Sequence, residues 1–281
     1  MNVHRTTRAL ICAAVLVLGA GCSTQTEPDA ATSSPAGAGS VERTDSTADR
    51  ARTTLGAPED TTGSLVATSN EAELAVHAKP DGDVIETFEN PTPTGVPLTF
   101  MVISTKKDWV EVQLPVRPNG GTAWVATDEV TITTVDYALK VSTKDNTLEL
   151  YRDEELVESF PVATGTGGTP TPTGTYYLTE LITPTNEGYG PFAYGISAFS
   201  EELTSFGGGP GQIGLHGTDD EDSIGRAISN GCIRLSNPAI TKHSALRPLG
   251  TPIEITEGRH GVGVQGKERL RLGVLCVGLL R

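Results

Sequence analysis

The hydrophobic pattern between residues 64 and 134 is that of short β-strands. Apolar segments, several of them alternating with polar positions, lie at 74–76, 84–85, 98–103, 109–114 and 122–125, with turn residues between them. Period-two alternation at this spacing predicts strands with one buried face, so we expect a small all-β module here. Trp109 and Trp124 belong to this pattern, and we expect them in its core rather than exposed for ligand stacking.

The pattern from residue 138 to 256 also predicts β-structure. Strands are expected at 139–141, 147–151 and 156–162, and the turn residues at 152–155 make the last two a hairpin. The Gly-, Thr- and Pro-rich segment 165–174 interrupts regular structure, and a strand resumes after it. No long amphipathic helix is predicted, although 222–228 is expected to form one or two helical turns.

The N-terminal residues 1–21 have the order of a secretory signal peptide. Arg5 and Arg8 precede an uncharged apolar run at 9–20 that is too short to span a bilayer. We therefore expect export. The run ends in small residues before Cys22, which resembles the lipobox of bacterial lipoproteins, although Gly19 stands where a branched residue is usual. The resemblance implies a diacylated Cys22 that anchors the protein to the outer face of the cytoplasmic membrane, facing the cell wall; cleavage and secretion is the alternative.

The segments at both ends of the folded region differ from it in composition. Residues 22–63 are rich in Thr, Ser, Ala, Pro, Gly and acids, and Val41 and Leu55 are their only large apolar residues. Such a composition predicts a disordered tether with a reach of about 35 Å. The tail at 257–281 ends in an apolar stretch, 270–280, that is also too short to cross a membrane.

The net charge limits the kinds of partner that the protein could bind, and the cysteine content limits which thiols could be reactive. The formal net charge of −14 argues against a nucleic-acid or anionic-membrane surface as partner. Of the four cysteines, Cys12 lies in the signal peptide and Cys22 in the lipobox, which leaves Cys232 and Cys276. A thiol without a disulfide framework in an exported protein is more often reactive than structural, but a bridge between these two cysteines stays open.

The segment 213–237 contains the most informative residues of the chain. It places His216 and Cys232 sixteen residues apart, and a neighbouring imidazole is what a thiol needs to become a nucleophile near neutral pH. Gly217 and Gly231 next to them permit tight turns. Taken alone, these residues leave three possibilities open: a catalytic pair, a buried histidine and cysteine, or a zinc site completed by His243, although CxxC and HExxH motifs are absent from the sequence.

A family resemblance favours the first possibility. The residues His216-Gly217-Thr218 and the run from Ser229 through Gly231-Cys232-Ile233-Arg234 to Asn237 resemble the active-site signature of the L,D-transpeptidase family, or YkuD domain. The likeness covers 138–256 and includes the Thr-Pro-x-Gly-like start at 170–176. In addition, 108–112 and 121–125 resemble a bacterial SH3-like domain. Together they imply an L,D-transpeptidase-type β-sandwich preceded by a small SH3-like β-barrel and the tether.

The resemblance also implies the roles of the central residues. Cys232 would attack the carbonyl between the third and fourth residues of a peptidoglycan stem peptide, release D-alanine and form a thioester. His216 would act as proton acceptor and donor, oriented by the backbone carbonyl of Gly217. Backbone N–H groups near Gly231 and Cys232 would stabilise the oxyanion. The family needs neither a cofactor nor a metal for this reaction.

Roles for the surrounding residues are also expected. Ser229 and Asn230 would support the loop or contact substrate, and Asn230 stands where the family often has histidine. Arg234 would either bind a substrate carboxylate or tie the loop to an acid such as Asp219 or Asp222. The aromatic residues of the segment 188–197 are candidates for a lid over the site; they are Tyr189, Phe192 and Tyr194.

Several functions fit these expectations. The leading hypothesis is a transpeptidase of peptidoglycan biosynthesis that joins the acyl group to a diaminopimelate amine in a 3-3 cross-link and so contributes to cell wall organisation and cell shape. An L,D-carboxypeptidase would use the same residues with water as acceptor. A peptidoglycan-binding lipoprotein without activity is a third possibility. Papain-like and NlpC-like peptidases place the cysteine before the histidine, which is the opposite order.

Overall fold

The computed structural model describes residues 63–244 and 247–258 of the 281-residue chain. The predictions for the signal peptide, Cys22, the tether and the apolar tail beyond residue 258 lie outside the described residues, as does Cys276. Within the described ranges the chain is built from strands and a single α-helix, which confirms the all-β prediction. No helix in these ranges is long and apolar enough to cross a membrane.

Seven antiparallel strands form the first sheet. They are β1 (Ser64–Ser69), β2 (Glu73–His77), β3 (Val84–Glu89), β4 (Thr99–Lys106), β5 (Trp109–Gln113), β6 (Thr122–Ala126) and β7 (Val130–Val135). Their order is β3-β2-β6-β5-β4-β1-β7. These strands fall within the predicted β module; its assignment as an SH3-like barrel stays a prediction.

Alternation along β5 explains how this sheet builds its core. Val110 and Val112 are fully buried beside Phe100 and Val125, whereas the positions between them face outward. Trp109 and Trp124 occupy such outward positions and are only half-buried, so the expectation that they form the core is wrong. The Trp109 ring instead packs edge-on against His77, with ring centroids 5.0 Å apart.

The second sheet contains eight strands. They are β8 (Tyr137–Ser142), β9 (Thr147–Arg152), β10 (Glu155–Pro161), β12 (Gly174–Ile182), β13 (Ala193–Phe199), β14 (Gln212–His216), β16 (Ile233–Arg234) and β17 (Pro252–Thr256). Their order is β10-β9-β8-β17-β12-β13-β14-β16, and β8/β17 and β14/β16 pair in parallel. A separate parallel pair joins β11 (Thr164–Gly165) to β15 (Ala227–Ser229). The predicted hairpin is β9–β10.

The α-helix, α1 (Asn237–Ser244), was not predicted by the hydrophobic pattern. Only Ile240 and His243 of its eight residues are buried, which is too sparse a stripe to signal a helix in sequence. The segment 222–228, where helical turns were expected, contains the end of a 3₁₀ turn (Glu221–Ser223) and then β15. Ile240 joins the core of the second sheet, which also contains Leu148, Ile196, Leu215 and Ile233.

Candidate active site

Parallel pairing of β14 with β16 brings the two ends of the sequence motif together. Leu215 pairs with Ile233 and His216 with Arg234, so Cys232, directly before β16, lies beside the middle of β14. The backbone N–H of Gly214 donates to the Cys232 sulfur at 3.4 Å. A Cβ placed on Gly214 would lie 3.5 Å from His216 Cδ2 and 3.8 Å from Cys232 Sγ. The imidazole and the thiol therefore both lie close to the same point beside Gly214.

The His216 ring is held in one orientation by the residue that follows it. Its Nδ1 lies 2.6 Å from the Gly217 carbonyl oxygen. Because a carbonyl oxygen only accepts hydrogen bonds, Nδ1 carries the proton and Nε2 carries the lone pair of the neutral ring. The side chain is almost fully buried. Burial lowers the pKa of His216 to about 4, against the opposing effect of the Gly217 carbonyl and assisted by the charge of Arg234.

The environment of Cys232 favours the protonated thiol. Burial raises the pKa of Cys232 above its ordinary value, and the hydrogen bond from Gly214 and the charge of Arg234 act in the opposite direction. Cys232 is the free cysteine of the described residues. At neutral pH the site therefore holds a neutral thiol beside a neutral imidazole that is able to accept its proton.

The turn that carries Cys232 is closed by hydroxyl groups. Ser229 Oγ donates to the Cys232 carbonyl oxygen at 2.6 Å and accepts from the Gly231 N–H at 3.1 Å. Thr171 Oγ1 donates to the Gly231 carbonyl oxygen at 2.8 Å. Gly231 has a φ of 114°, a conformation that L-residues with side chains rarely adopt. The expected role of Ser229 in supporting the loop matches this geometry.

The oxyanion expectation needs a correction at one position. The Gly231 N–H points to Ser229 Oγ and is engaged within the turn, so it does not face a substrate. The N–H of Cys232 itself is the candidate donor that lies beside the nucleophile. Asn230, expected to contact substrate or support the loop, lies between Ser229 and Gly231. It lines a cavity that Cys232 also lines.

Arg234 lies near an acid of the expected segment. Its Nη1 lies 3.9 Å from Asp220 Oδ2, and Asp220 stands between Asp219 and Asp222 in the sequence. This separation and the partial exposure of both groups make the ion pair a weak one. Arg234 Nε is buried without a hydrogen-bond partner among the described residues, and the side chain lines the cavity beside Cys232. The guanidinium thus retains donors for a further acceptor.

The three aromatic residues expected in a lid occupy different places. The Tyr189 ring lies against the His216 ring, with centroids 4.5 Å apart and an interplanar angle of 41°. Tyr194 is 1% exposed, and its hydroxyl lies 3.4–3.5 Å from the carbonyl oxygens of His243, Ser244 and Arg247, so it is a core residue and not part of a lid. Phe192 packs against the core of the second sheet.

Two cavities meet at Cys232 and His216. One, of about 230 Å³, is lined by the polar groups of Asp219, Asn230 and Arg234. The other, of about 440 Å³, extends along β14 toward Ile182 and the segment 206–211. Both are bordered by four residues, namely Tyr189, Phe206, His216 and Cys232. Cys232 and His216 therefore border both cavities.

His243, the third possible ligand of a zinc site, does not lie beside Cys232. His243 is buried on α1, with its ring 4.3 Å from that of Phe160 and its Nδ1 in contact with Arg247. Within the described part of the chain, no group of three or more His, Cys, Asp and Glu side chains is arranged to hold a metal ion.

Several supporting residues were not singled out as site residues from the sequence. Asn237 Oδ1 accepts from the Thr218 N–H at 3.0 Å and so ties the start of α1 to the segment after His216. Gly190, with a φ of 65°, passes so close to Gly217 that a Cβ there would lie 2.7 Å from the Gly217 Cα. Thr171 and Phe206 come from distant loops. Their proximity depends on strand pairing, and no local pattern signals it.

Comparisons with known proteins agree with the motif. A family model described as the L,D-transpeptidase catalytic domain (YkuD) matches residues 136–255. The YkuD protein of Bacillus licheniformis, whose name assigns it provisionally as an L,D-transpeptidase, is 36% identical over 124 residues, which is 44% of this chain and 67% of that protein. The protein of the same name from Bacillus subtilis is 34% identical over 123 residues, 43% of this chain and 67% of its own length.

Matches to solved structures were also found. Bdellovibrio bacteriovorus Bd1075 matches with a TM-score of 0.36 and 25% identity over 44% of this chain. The match spans about half of that protein, 48%. An L,D-transpeptidase from Mycobacterium smegmatis matches with a TM-score of 0.36 and 15% identity, over 57% of this chain and 90% of its own. Similarity at these TM-scores adds nothing to the sequence matches.

Proposed function

Because the chain belongs to the L,D-transpeptidase (YkuD) family, we propose that it is a cell-wall L,D-transpeptidase that forms a thioester at Cys232. The observation that carries the proposal is that the Cys232 sulfur and the His216 ring both lie within 4 Å of the Cβ position of Gly214, with Nδ1 of the ring bound to the Gly217 carbonyl. This arrangement gives a nucleophile and a base in one cavity, and the base has a fixed tautomer.

The first half-reaction follows from the protonation states. The sulfur attacks the carbonyl carbon between the third and fourth residues of a tetrapeptide stem, and His216 Nε2 accepts the thiol proton. Because burial raises the pKa of the thiol and lowers that of the imidazole, the proton leaves sulfur only as the new S–C bond forms. The tetrahedral intermediate then collapses, the C–N bond breaks, and His216 returns the proton to the amine of D-alanine.

The oxyanion and the second half-reaction use the same groups. The Cys232 N–H is the candidate donor to the developing oxyanion, since the Gly231 N–H is engaged by Ser229. In the second step an amine of a diaminopimelate side chain attacks the thioester and gives its proton to His216. The C–S bond breaks, the thiolate recovers this proton, and a 3-3 cross-link results.

The position of Cys232 at the border of two cavities favours transpeptidation over hydrolysis. A carboxypeptidase needs one peptide site and water, whereas a transpeptidase must hold a second stem while the first is still attached. The two cavities that border Cys232 offer a separate surface to each peptide. Incubation with sacculi, followed by digestion and mass spectrometry, separates the outcomes: dimeric stems linked 3-3 support the proposal, and tripeptides alone indicate an L,D-carboxypeptidase.

A covalent adduct experiment tests the thioester chemistry. A carbapenem contains a strained acyl group that a reactive thiol opens, so we expect the protein to gain the mass of one inhibitor molecule. Cys232→Ala should abolish the adduct, and His216→Gln should slow its formation strongly. Cys276→Ala is the matched control and should keep the adduct. A wild-type protein that stays unmodified yet sediments with sacculi would instead support a non-catalytic wall-binding lipoprotein.

We further propose that Cys22 is diacylated and holds the enzyme at the outer face of the cytoplasmic membrane, with an SH3-like module between the anchor and the catalytic domain. The support is the sequence around Cys22 and the signal-like run before it. Growth with an alkyne-bearing fatty acid should label the protein, and Cys22→Ala should remove the label. A cleaved, unlabelled protein in the medium would show secretion without an anchor.

A further inference from the structure

The segment 200–211, between β13 and β14, forms one wall of the larger cavity. Phe206, Gly207 and 209–211 from this segment line that cavity, which Cys232 also lines. Its internal hydrogen bonds are few: Ser200 N–H donates to the Gly211 carbonyl at 2.8 Å, Leu203 N–H donates to Ser200 Oγ at 3.0 Å, and Phe206 and Gly209 form a bridge of two 3.0 Å backbone bonds. Phe206 is 43% exposed. A glycine-rich segment with so little packing has little to fix its position.

The first sheet supplies the contacts that this segment lacks. Arg117 lies in the loop between β5 and β6, and its guanidinium donates to three carbonyl oxygens of the segment. Nη1 reaches Pro210 at 2.6 Å, and Nη2 reaches Ser200 at 2.8 Å and Leu203 at 3.1 Å. The same guanidinium lies 4.9 Å from the ring centroid of Phe199, the last residue of β13.

A second side chain of the same loop holds the base of the segment. Asn119 Nδ2 donates to the Phe199 carbonyl oxygen at 2.8 Å, and the Phe199 N–H donates to Asn119 Oδ1, also at 2.8 Å. This reciprocal pair imitates the backbone bonds of a neighbouring strand. Arg117 and Asn119 together fix both ends of the segment, because Phe199–Ser200 enter it and Pro210 leaves it.

The loop that carries Arg117 rests on a buried polar junction between the two sheets. Gln113 Nε2 donates to the Thr175 carbonyl at 2.8 Å, and its Oε1 accepts from Ser197 Oγ at 2.9 Å. Tyr177 is fully buried within the core of the first sheet, and its hydroxyl donates to the Gln113 carbonyl. Fully satisfied buried networks of this kind hold neighbouring elements in one arrangement. Arg117 thus extends from a rigid base.

We propose that Arg117 is a positioning residue for the active site, which sets the wall of the larger cavity through the segment 200–211. The first sheet is then a component of the substrate site and does more than separate the catalytic domain from the tether. The effect on peptide binding rests on the proposed function. The mechanical part, that Arg117 orders 200–211, depends on the contacts alone.

The test compares Arg117→Ala and Arg117→Lys with wild type by three measurements. Amide hydrogen exchange reports the order of 200–211, carbapenem acylation reports the substrate cavity, and iodoacetamide alkylation reports the intrinsic reactivity of Cys232. We expect Arg117→Ala to lose exchange protection in 200–211 and to be acylated about tenfold more slowly, with alkylation unchanged. Arg117→Lys, which offers an ammonium in place of the planar guanidinium, should give intermediate values.

Arg152→Ala is the matched control for loss of an exposed arginine. Arg152 contacts Asp153 and Tyr137, neither of which borders the cavities at Cys232, so all three measurements should match wild type. Unchanged exchange in Arg117→Ala would overturn the proposal, and so would faster exchange with acylation within twofold of wild type. If wild type is not acylated at all, the proposed function fails, and exchange alone then decides whether Arg117 orders the segment.

Discussion

The Gly217 carbonyl oxygen lies 2.6 Å from Nδ1 of the adjacent residue, His216, so the group that orients the base belongs to the backbone. A carboxylate in this position would stabilise the protonated ring by its charge, whereas a carbonyl offers only a dipole. Burial therefore dominates, and the pKa of His216 falls to about 4. The ring is neutral throughout the neutral pH range and is available as a proton acceptor.

The reactivity of Cys232 should rise steadily with pH. Because burial raises the pKa of the thiol above its ordinary value of about 8.5, we expect slow alkylation by iodoacetamide at pH 7 and a rate that still increases beyond pH 9. The Cys232→Ala variant gives the background from other thiols. A rate that is already constant from pH 6 upward would contradict this, since it would show a thiolate paired with an imidazolium before substrate binds.

Gly214→Ala should lower the activity without lowering the stability of the fold. The added methyl would have ordinary van der Waals contacts of 3.5–3.8 Å, so the melting temperature should stay close to wild type. The same methyl would lie against both His216 Cδ2 and Cys232 Sγ, and we expect carbapenem acylation to slow by roughly 10- to 100-fold. Gly167→Ala, where an added Cβ meets nothing within 4 Å, is the control. Normal acylation by Gly214→Ala would show that proton transfer does not run past this glycine.

Tyr189 should control the acidity of His216. Its ring lies against the imidazole and excludes water from it, so Tyr189→Ala should raise the pKa of His216 from about 4 toward its ordinary value of 6.5. Tyr189→Phe retains the ring and should leave the pKa close to that of wild type. NMR titration of the imidazole protons measures both variants. An unchanged pKa in Tyr189→Ala would mean that other groups bury the ring.

Loss of the Ser229 hydroxyl should loosen the turn at Cys232. Ser229→Ala removes the bonds to the Cys232 carbonyl and from the Gly231 N–H, which lie in a buried environment. We expect the free energy of unfolding to fall by roughly 1–3 kcal/mol and acylation to slow. Denaturant unfolding and adduct formation measure the two effects. Ser159→Ala, at an exposed position of the hairpin strand β10, is a serine control away from the site. A stable, fully active Ser229→Ala variant would show that the Ser229 hydroxyl is not needed to hold the turn at Cys232.

Acid should destabilise the protein through His216. Its pKa is 6.5 when unfolded and about 4 when folded, so the unfolded state binds more protons between these values. Stability is therefore complete above pH 6.5 and declines as pH falls toward 4, by on the order of 3 kcal/mol. Unfolding free energies at pH 7 and pH 4 should differ less in His216→Gln than in wild type. An equal difference in both proteins would show that His216 titrates normally in the fold.

The sequence by itself determined the fold class, the hairpin and the catalytic motif. Period-two alternation at 139–141 and 147–151 is a local property of strands with one buried face, so it predicted β8 and β9 before any contact was known. His216 and Cys232 were identifiable because they lie in one short segment with a specific spacing. The family resemblance to that segment, and not composition, separated the catalytic interpretation from a buried core pair.

Only the tertiary structure decided which neighbours surround these two residues. Tyr194 points into the core because strand register determines which face its side chain occupies. The contacts of Arg234 with Asp220 and of Tyr189 with the His216 ring depend on how the segments between strands fold back over the site. The helix α1 forms because Ile240 reaches the core and Asn237 binds Thr218, both long-range contacts. Arg117 reaches the cavity wall across 83 to 93 positions of sequence. Contacts at such separations leave no local pattern, since packing of the whole chain creates them.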